Sequence, residues 1–269
     1  MKRGFFETIV ALDIDGTIVD QRESFYRGAQ EIFSELKKKE IEFLFVTARP
    51  FQALNWINKV IDSQPLGIIT YNGAAIMLDN RQIIIASRIE PIQLVGILNK
   101  LHGKITSSIR VHSISRGILH IGKKTEWPND HLEYYKPNEY LLFEDVEKID
   151  DAVKVSFWEW GDERFFISDI CLSYGFSIVE NKPKILELCS QNVDKGSAIK
   201  TLLNKIHRNA YDLISIGDGY PDIPMFKESK ISFSFKSSQQ EVKSQANIIL
   251  SPPDEGGLFE FLVYLRGSL

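Results

Sequence analysis

Short, uninterrupted apolar runs alternate with amphipathic segments near the start of the chain. The runs at 9–13, 41–46 and 67–70 predict strands that are buried on both faces of a parallel sheet. Between them, apolar residues at helical spacing predict helices over 24–39 and 50–61. This alternation is typical of βαβ units, in which each helix crosses over the sheet between two parallel strands.

The pattern changes after residue 74. Segments 75–78 and 82–87 flank Asp79-Asn80-Arg81 and predict a hairpin, and a second hairpin is predicted around Arg116-Gly117 from 109–114 and 118–121. The other elements of this stretch are helices over 91–102 and 163–174, strands over 152–158 and 176–180, and an irregular polar and aromatic segment over 126–137. Hairpins mixed with helices predict an antiparallel α+β module.

The α/β alternation resumes at residue 185. We predict strands over 185–189, 213–216, 231–235 and 248–250, and helices over 195–206 and 257–265. The predicted fold is therefore α/β, with a doubly wound, Rossmann-like parallel-sheet core and an inserted α+β cap domain. The core is assigned to residues 1–78 and 184–269, and the cap to residues 79–183.

Composition narrows the class of protein. The chain has 269 residues, 43% of them hydrophobic, with a net charge of -4 and a pI near 5.8. This balance argues against general nucleic-acid binding, which needs a basic face. No apolar run is long enough to span a membrane and no signal peptide is recognisable, so we expect a cytoplasmic protein without a membrane partner. The sequence does not indicate an oligomeric state.

The cysteines and most of the tryptophans are expected to have structural rather than functional roles. Cys171 and Cys189 are isolated in the sequence, so we expect free thiols rather than a disulfide or zinc site. Trp127, Trp158 and Trp160 are candidates to line a pocket in the cap, although packing is the favoured interpretation for at least two of them.

Polar side chains follow the carboxyl ends of several predicted core strands. Asp13 and Asp15 come directly after the first strand, and Gly16 lets the backbone turn and approach a ligand closely. The carboxyl ends of parallel strands meet at one edge of a sheet, where open α/β folds bind their ligands. The other groups expected at this edge are Thr47 and Arg49, Asn72 and Gly73, and Asp218 and Asp222.

These groups suit phosphate chemistry. Asp13, Asp218 and Asp222, together with water, provide oxygen ligands for a Mg²⁺ ion. The metal, Lys195 and the Thr47 hydroxyl would neutralise or hydrogen-bond phosphoryl oxygens. One carboxylate is then left as a nucleophile, and another as the proton donor to the leaving group and the base for water.

Four motifs of the chain resemble those of the haloacid dehalogenase superfamily of phosphohydrolases. They are Asp13-Ile14-Asp15-Gly16-Thr17, then Thr47, then Lys195, and finally Gly217-Asp218-Gly219-x-x-Asp222. The insertion between the second and third motifs is similar to the large C2-type cap of some members. The Thr-Ala-Arg-Pro segment at 47–50 and the Tyr-Asn-Gly-Ala segment at 71–74 resemble the Cof-type subgroup. The resemblance implies a Mg²⁺-dependent phosphatase whose substrate is a sugar phosphate or a similar small phosphorylated metabolite.

The resemblance also implies roles for the matched residues. Asp13 would attack phosphorus and become an aspartyl phosphate, and Asp15 would serve as general acid and base. Thr47 and Lys195 would hold the phosphoryl group and stabilise Asp13. The implied metal ligands are Asp13, Asp15 through its backbone carbonyl, Asp218, and Asp222, which would complete or orient the site. The expected substrate-binding residues are Gly16, Thr17, Arg49, Asn72 and Gly73.

Two positions depart from the pattern of the subgroup. Pro221 stands where an Asn usually precedes the last acid, so a side-chain amide is missing and the turn is stiffer. Ser234-Phe235-Lys236-Ser237-Ser238 replaces a small loop that usually contains glycine and asparagine. These departures keep a non-catalytic phospholigand-binding protein open as an alternative. A phosphosugar mutase on the same scaffold is the other alternative.

Overall fold

A computed structural model describes residues 7–79, 81–122, 136–158, 162–182, 185–190, 193–208 and 211–268. The chain divides into two compact units, each with a sheet and a hydrophobic core of its own. The first unit contains Met1–Ala86 and Asp194–Leu269, and the second contains Ser87–Val193.

The regular elements follow one another along the chain in this order. The strands are β1 (Glu7–Leu12), β2 (Glu42–Val46), β3 (Gly67–Thr70), β4 (Ala75–Leu78), β5 (Ile83–Ile85), β6 (Ser108–Ser113), β7 (Gly117–Ile121), β8 (Glu139–Leu141), β9 (Ala152–Trp158), β10 (Phe176–Lys182), β11 (Ile185–Ser190), β12 (Tyr211–Ile216), β13 (Ile231–Phe235) and β14 (Ile248–Leu250). The α-helices are α1 (Ala29–Lys38), α2 (Ile57–Val60), α3 (Pro91–Leu101), α4 (Arg164–Ser173), α5 (Lys195–Lys205), α6 (Ile223–Lys227), α7 (Gln240–Lys243) and α8 (Gly257–Ser268).

The sheet of the first unit has the order β14-β13-β12-β1-β2-β3-β4-β5. The strands from β14 to β3 are parallel, and β4 and β5 extend the edge in antiparallel pairing. Side chains alternate across a strand, so each face has its own core. Val10 and Leu12 belong to the core shared with α1 and α8, whereas Ile9 and Ala11 belong to the core shared with α5 and α6. Helices on both faces confirm the doubly wound α/β prediction.

The sheet of the second unit has the order β10-β11-β9-β6-β7-β8. Its neighbouring strands are antiparallel except for β7 and β8, which run parallel. One face packs its apolar side chains against α3 and α4. The second unit is therefore the α+β module that the hairpin pattern predicts.

The boundaries between the units differ from the predicted ones at residues 78 and 183. The strand β5, assigned to the cap, pairs with β4 at the edge of the first sheet. The strand β11, assigned to the core, instead pairs with β9 and β10 in the second sheet. A short apolar run has the same pattern in either sheet, so periodicity could not assign these two strands.

Two predicted helices are shorter than expected. The helix predicted over 24–39 begins at Ala29, because Gly28 has a left-handed φ of 96°. The helix predicted over 50–61 is divided into a 3₁₀ turn, Phe51–Leu54, and the single turn of α2. Each covers less of the sheet than a continuous helix would.

The cysteine and tryptophan predictions are tested only in part. Cys171 is a buried free thiol, and burial raises its pKa to about 12. Trp158 is buried on β9. The side chains of Cys189, Trp127 and Trp160 lie outside the described residues. Among the helices that the structure describes, none has the length and apolarity to cross a membrane.

Candidate active site

The central strands β1 and β12 bring two sequence-distant loops together. They are parallel neighbours with Leu12 beside Ile216, so both end at the same level. The Asp13 N–H donates to the Ile216 carbonyl at 3.1 Å and continues this pairing by one residue. The loop that contains Asp218 therefore starts beside Asp13, as the parallel-sheet argument predicts.

Lys195 is a buried cation at this edge of the sheet. It opens helix α5 directly after Asp194, whose carboxylate caps the helix by accepting from the Ser197 N–H. A cation at a helix N-terminus is unfavourable. Here the Lys195 ammonium is only 3% exposed and lies 2.6 Å from Asp13 Oδ1 and 2.6 Å from an Asp222 oxygen. Burial by itself would lower the pKa of Lys195, but these two carboxylates raise it, so the lysine stays charged.

Asp13 is held from both sides. Lys195 contacts Oδ1, and the Thr17 hydroxyl donates to Oδ2 at 2.9 Å. Burial, followed by the charge of Asp222, raises the pKa of the Asp13 carboxyl well above its usual range, although Lys195 opposes this shift. The orientation of this carboxylate is therefore fixed by hydrogen bonds at both oxygens.

Asp13, Asp218 and Asp222 form an acidic cluster. One carboxylate oxygen of each lies within 4.8 Å of the others. Burial, followed by the charge of Asp222, raises the pKa of Asp218 to about 7. The two carboxyl groups are thus removed from water and placed beside other acids. The donors are hard oxygen ligands of the kind that Mg²⁺ prefers, so the cluster fits this ion.

Asp222 has a different environment from the other two acids. Its Oδ1 accepts from Lys195, and its Oδ2 accepts from the backbone N–H groups of Asp218 and Gly219 at 3.0 and 2.9 Å. It therefore fixes the loop that presents Asp218. Pro221 lies at the exposed surface of this turn.

Gly16 is required by the close approach of the two loops. Its φ is 75°, and a Cβ at this position would lie 2.4 Å from Asp218 Oδ2. A larger residue would be strained and would displace the Asp218 carboxylate. In the structure Gly16 lies close to the Asp218 carboxylate, whereas the sequence predicts a close approach of this backbone to a ligand.

The carboxylate of Asp15 lies outside the acidic cluster. It is half exposed and accepts two hydrogen bonds from Arg49, whose side chain is 1% exposed. Arg49 Nη1 also donates to Glu23 Oε1 at 2.8 Å. In the structure Arg49 binds the carboxylates of Asp15 and Glu23, whereas the sequence analysis expected it to contact the substrate. Glu23 was not predicted, because a polar loop residue gives no spacing signal.

Thr47, Asn72 and Gly73 meet at the ends of β2 and β3. The Thr47 hydroxyl is buried and accepts from the Arg49 N–H at 3.1 Å, and the Asn72 N–H donates to the Thr47 carbonyl at 3.0 Å. Asn72 has a φ of 56°, and its buried Oδ1 has no hydrogen-bond partner among the described residues. Gly73 has a φ of 110°, and a Cβ there would lie 2.4 Å from the Asp194 carbonyl oxygen. Gly73 therefore supports the start of α5, a packing role that the sequence did not predict.

The whole arrangement contains the types of group that phosphoryl transfer to a carboxylate uses. A fixed carboxylate faces a buried ammonium, a hydroxyl and an acidic pair, and a second carboxylate stands two residues further along. The predicted site residues of the first unit thus lie in three groups. The first is the acidic cluster with Lys195, Gly16 and Thr17, the second is Asp15 with Arg49, and the third is Thr47 with Asn72 and Gly73. Glu23, which was not predicted, joins the second group.

Comparison with known proteins gives a family match over most of the chain. A family model described as haloacid dehalogenase-like hydrolase matches residues 10–262. Among curated proteins, a putative phosphatase of Buchnera aphidicola is 25% identical, and the match covers 82% of this chain and 83% of that protein. The 5-amino-6-(5-phospho-D-ribitylamino)uracil phosphatase of Bacillus subtilis is 21% identical over 93% of this chain and 92% of its own length.

A solved structure shows the same fold. The chain superposes on a haloacid dehalogenase-like hydrolase from Bacteroides thetaiotaomicron with a TM-score of 0.79. The match covers 96% of this chain and 99% of that one, at 20% sequence identity.

Proposed function

Because the chain belongs to the haloacid dehalogenase-like hydrolases, we propose that it is a phosphatase that hydrolyses a small phosphomonoester through a phosphorylated Asp13. The observation that carries this proposal is the placement of the Asp13 carboxylate, with Lys195 at 2.6 Å on one oxygen and Thr17 at 2.9 Å on the other. The relatives named as phosphatases support the reaction class.

In the first step, an Asp13 oxygen forms a bond to phosphorus as the bond from phosphorus to the ester oxygen breaks. Asp15 gives a proton to the departing alkoxide. In the second step, Asp15 takes a proton from water, the water oxygen bonds to phosphorus, and the bond to Asp13 breaks. Lys195 and the Thr47 hydroxyl hold phosphoryl oxygens in both steps.

The acidic cluster is proposed to hold Mg²⁺. Asp13 and Asp218 are the ligands, and Asp222 orients them through its hydrogen bonds to Lys195 and to the Asp218 loop. When bound, Mg²⁺ neutralises charge on the phosphoryl oxygens. The Asp15 backbone carbonyl is a further expected ligand. The second unit is proposed to act as the cap that sets substrate selectivity.

The test is a screen for inorganic phosphate release in the presence of Mg²⁺. p-Nitrophenyl phosphate, sugar phosphates, nucleotides, phosphoglycolate and pyridoxal phosphate are compared without any sugar bisphosphate. We expect release that is lost by at least a thousandfold in Asp13→Asn and unchanged in Asp62→Asn, an exposed acid paired with Lys37.

Three results would contradict the proposal. Isomer formation that depends on a bisphosphate activator would indicate a mutase. Binding without turnover of any compound would indicate a phospholigand-binding protein. Activity of Asp13→Asn above a few per cent of the parent would exclude Asp13 as the nucleophile.

A further inference from the structure

Helix α4 is apolar on two opposite faces. Ile167 and Cys171 are buried in the core of the second unit, one turn apart on the side that faces the sheet. Phe165 and Leu172 lie two turns apart on the other side of the helix and are 78% and 54% exposed. The outer side of a surface helix is ordinarily polar. The exposed side of α4 therefore has apolar side chains that do not contribute to the core of the unit.

The neighbouring helix α3 extends this apolar surface. Ile92, in its first turn, is 82% exposed. Tyr174, directly after α4, fixes how the two helices lie together. Gln93 Nε2 donates to the Tyr174 carbonyl at 3.3 Å, and Lys100 Nζ lies 5.0 Å from the centroid of the Tyr174 ring. The first turn of α3 thus lies beside the end of α4, so Ile92 and Leu172 are at the same end of the helix pair. We call Ile92, Phe165 and Leu172 the outer apolar face.

The size of the outer apolar face suits a protein interface. Single exposed apolar residues are normal in soluble proteins, whereas a cluster of them marks an interaction site. An aromatic side chain buries about 150–250 Å² when it is fully covered. Phe166, next to Phe165 on α4, is also exposed. Two copies of this surface would therefore bury on the order of 1,000 Å², which is the lower limit for a specific interface.

The charges of this surface distinguish a protein partner from a membrane. A helix that lies on a membrane has a basic polar face, which is attracted to anionic lipids. Asp169 is exposed on α4 between Phe165 and Leu172, and the chain has a net charge of -4. Anionic lipids would repel an acid in this position. The fitting partner is a protein surface that combines apolar side chains with a cation.

The same helix pair provides such a cation. Lys100 is exposed on α3. Because helical side chains tilt toward the N-terminus, the Tyr174 ring and the Lys100 ammonium above it lie beside the last turn of α4, close to the level of Asp169. A two-fold axis parallel to the helices lays α4 of each copy on α3 of the other. Leu172 then meets Ile92 of the second copy, and Asp169 lies near Lys100 of the second copy. Each contact occurs twice, so the surface is complementary to itself.

We propose that the outer sides of α3 and α4 form a two-fold interface between two copies of this chain. The inference does not depend on the phosphatase function. An interface at the lower limit of size is weak, so we expect a dissociation constant on the order of 10 µM.

Sedimentation velocity of the full chain between about 1 and 200 µM tests this proposal, because the range spans the expected dissociation constant. The average mass should rise from 30.8 kDa toward twice this value. Phe165→Glu should raise the dissociation constant by about thirtyfold or more, because it places a charge in the centre of an apolar contact. Val263→Glu is the matched control, since Val263 is an exposed apolar residue on α8 of the first unit, and it should associate like the parent.

A parent that stays monomeric over the whole range would overturn the proposal, and so would a Phe165→Glu variant that associates like the parent. A monomeric parent that floats with phosphatidylserine-containing vesicles would assign the surface to a membrane instead. Phe165 is exposed, so its variant should fold, and equal melting temperatures of Phe165→Glu and Val263→Glu check this. Ile92→Glu, on the other helix, is a second variant that should also weaken association.

Exchange of charges tests the two-fold arrangement itself. Asp169→Lys and Lys100→Glu each place like charges opposite one another and should weaken association by about tenfold. The double variant restores an opposite-charge pair and should recover the affinity of the parent. Recovery supports the alignment of α4 on α3 of the second copy, whereas a double variant weaker than either single variant would contradict it.

Discussion

The guanidinium of Arg49 holds the carboxylate of Asp15 through two hydrogen bonds, from Nε to Oδ2 at 2.8 Å and from Nη2 to Oδ1 at 2.6 Å. Glu23 accepts a third bond from the same guanidinium at 2.8 Å. Asp15, the group proposed to transfer protons, is thus oriented by the buried guanidinium of Arg49. Glu23 in turn holds Arg49 in position.

Glu23→Gln should lower kcat by about tenfold, because small displacements of a catalytic group reduce the fraction of productive encounters. KM should change less, since Glu23 does not contact the acidic cluster. Steady-state phosphate release measures both constants. Glu31→Gln, on an exposed face of α1, is the control and should behave like the parent. Equal kcat values for Glu23→Gln and the control would show that the contact between Glu23 and Arg49 is not needed to orient Asp15.

Gly16→Ala should reduce activity by more than a hundredfold and destabilise the fold by about 1–2 kcal/mol, the usual cost of a left-handed alanine. The larger effect on activity follows from the contact with Asp218 at 2.4 Å. Gly103→Ala provides the matched control, because Gly103 has a φ of 70° with no atom within 4 Å of the added Cβ. This variant should show the conformational cost alone, with normal activity. Denaturant unfolding and phosphate release separate the two effects.

Asp218→Asn should stabilise the metal-free chain at pH 8, by on the order of 1 kcal/mol or more. The pKa of Asp218 is raised from 3.8 to about 7 in the folded state, so folding binds a proton between these values. Stability of the parent therefore falls as pH rises through this range.

The same variant tests the metal site. Mg²⁺ should raise the melting temperature of the parent and not that of Asp218→Asn, because ligands stabilise only the state that binds them. Thermal unfolding with Mg²⁺ or EDTA measures this difference. Asp254→Asn, in an exposed turn, should respond like the parent. An equal Mg²⁺ shift in Asp218→Asn would contradict the assigned ligand.

His112→Gln should make stability less dependent on pH below neutrality. Burial, followed by the charges of Lys154 and Arg110, lowers the pKa of His112 in the folded state, so the unfolded chain binds its proton first. The contribution of neutral His112 to the free energy of unfolding is therefore present above about pH 6.5, and it is lost as the pH falls below this value. Between pH 7.5 and 5.5 the parent should lose on the order of 1 kcal/mol more than the variant. Urea unfolding tests this, and equal pH slopes of the parent and His112→Gln would contradict it.

The fold class and the family were predictable because they depend on local patterns. Strands β1, β2 and β3 are apolar runs that end in reactive groups, and the motif around Asp13 matches the family in order and spacing. The family match and the doubly wound sheet confirm these two predictions. The assigned roles of the site residues stay predictions.

Other features of the fold and the site could not be predicted, because they depend on contacts between residues that the spacing of residue types along the sequence does not reveal. The residues of β11 have the composition of a core strand, yet the pairing with β9 decides their sheet. Gly73 looked like a substrate-binding residue, but its position is explained by the carbonyl of Asp194, more than a hundred residues away. The same applies to Glu23, whose relevance appears only through its contact with Arg49.

The pairing of β1 has a consequence for biosynthesis. One neighbour, β2, follows within a few dozen residues, whereas the other, β12, begins at Tyr211. During translation, one edge of β1 consequently stays without its partner until the second unit has been made, and open strand edges invite pairing with other chains. The ribosome has to finish most of the polypeptide before Asp13 and Asp218 can meet, so we expect truncated nascent chains to lack the acidic cluster and to expose an unpaired edge of β1.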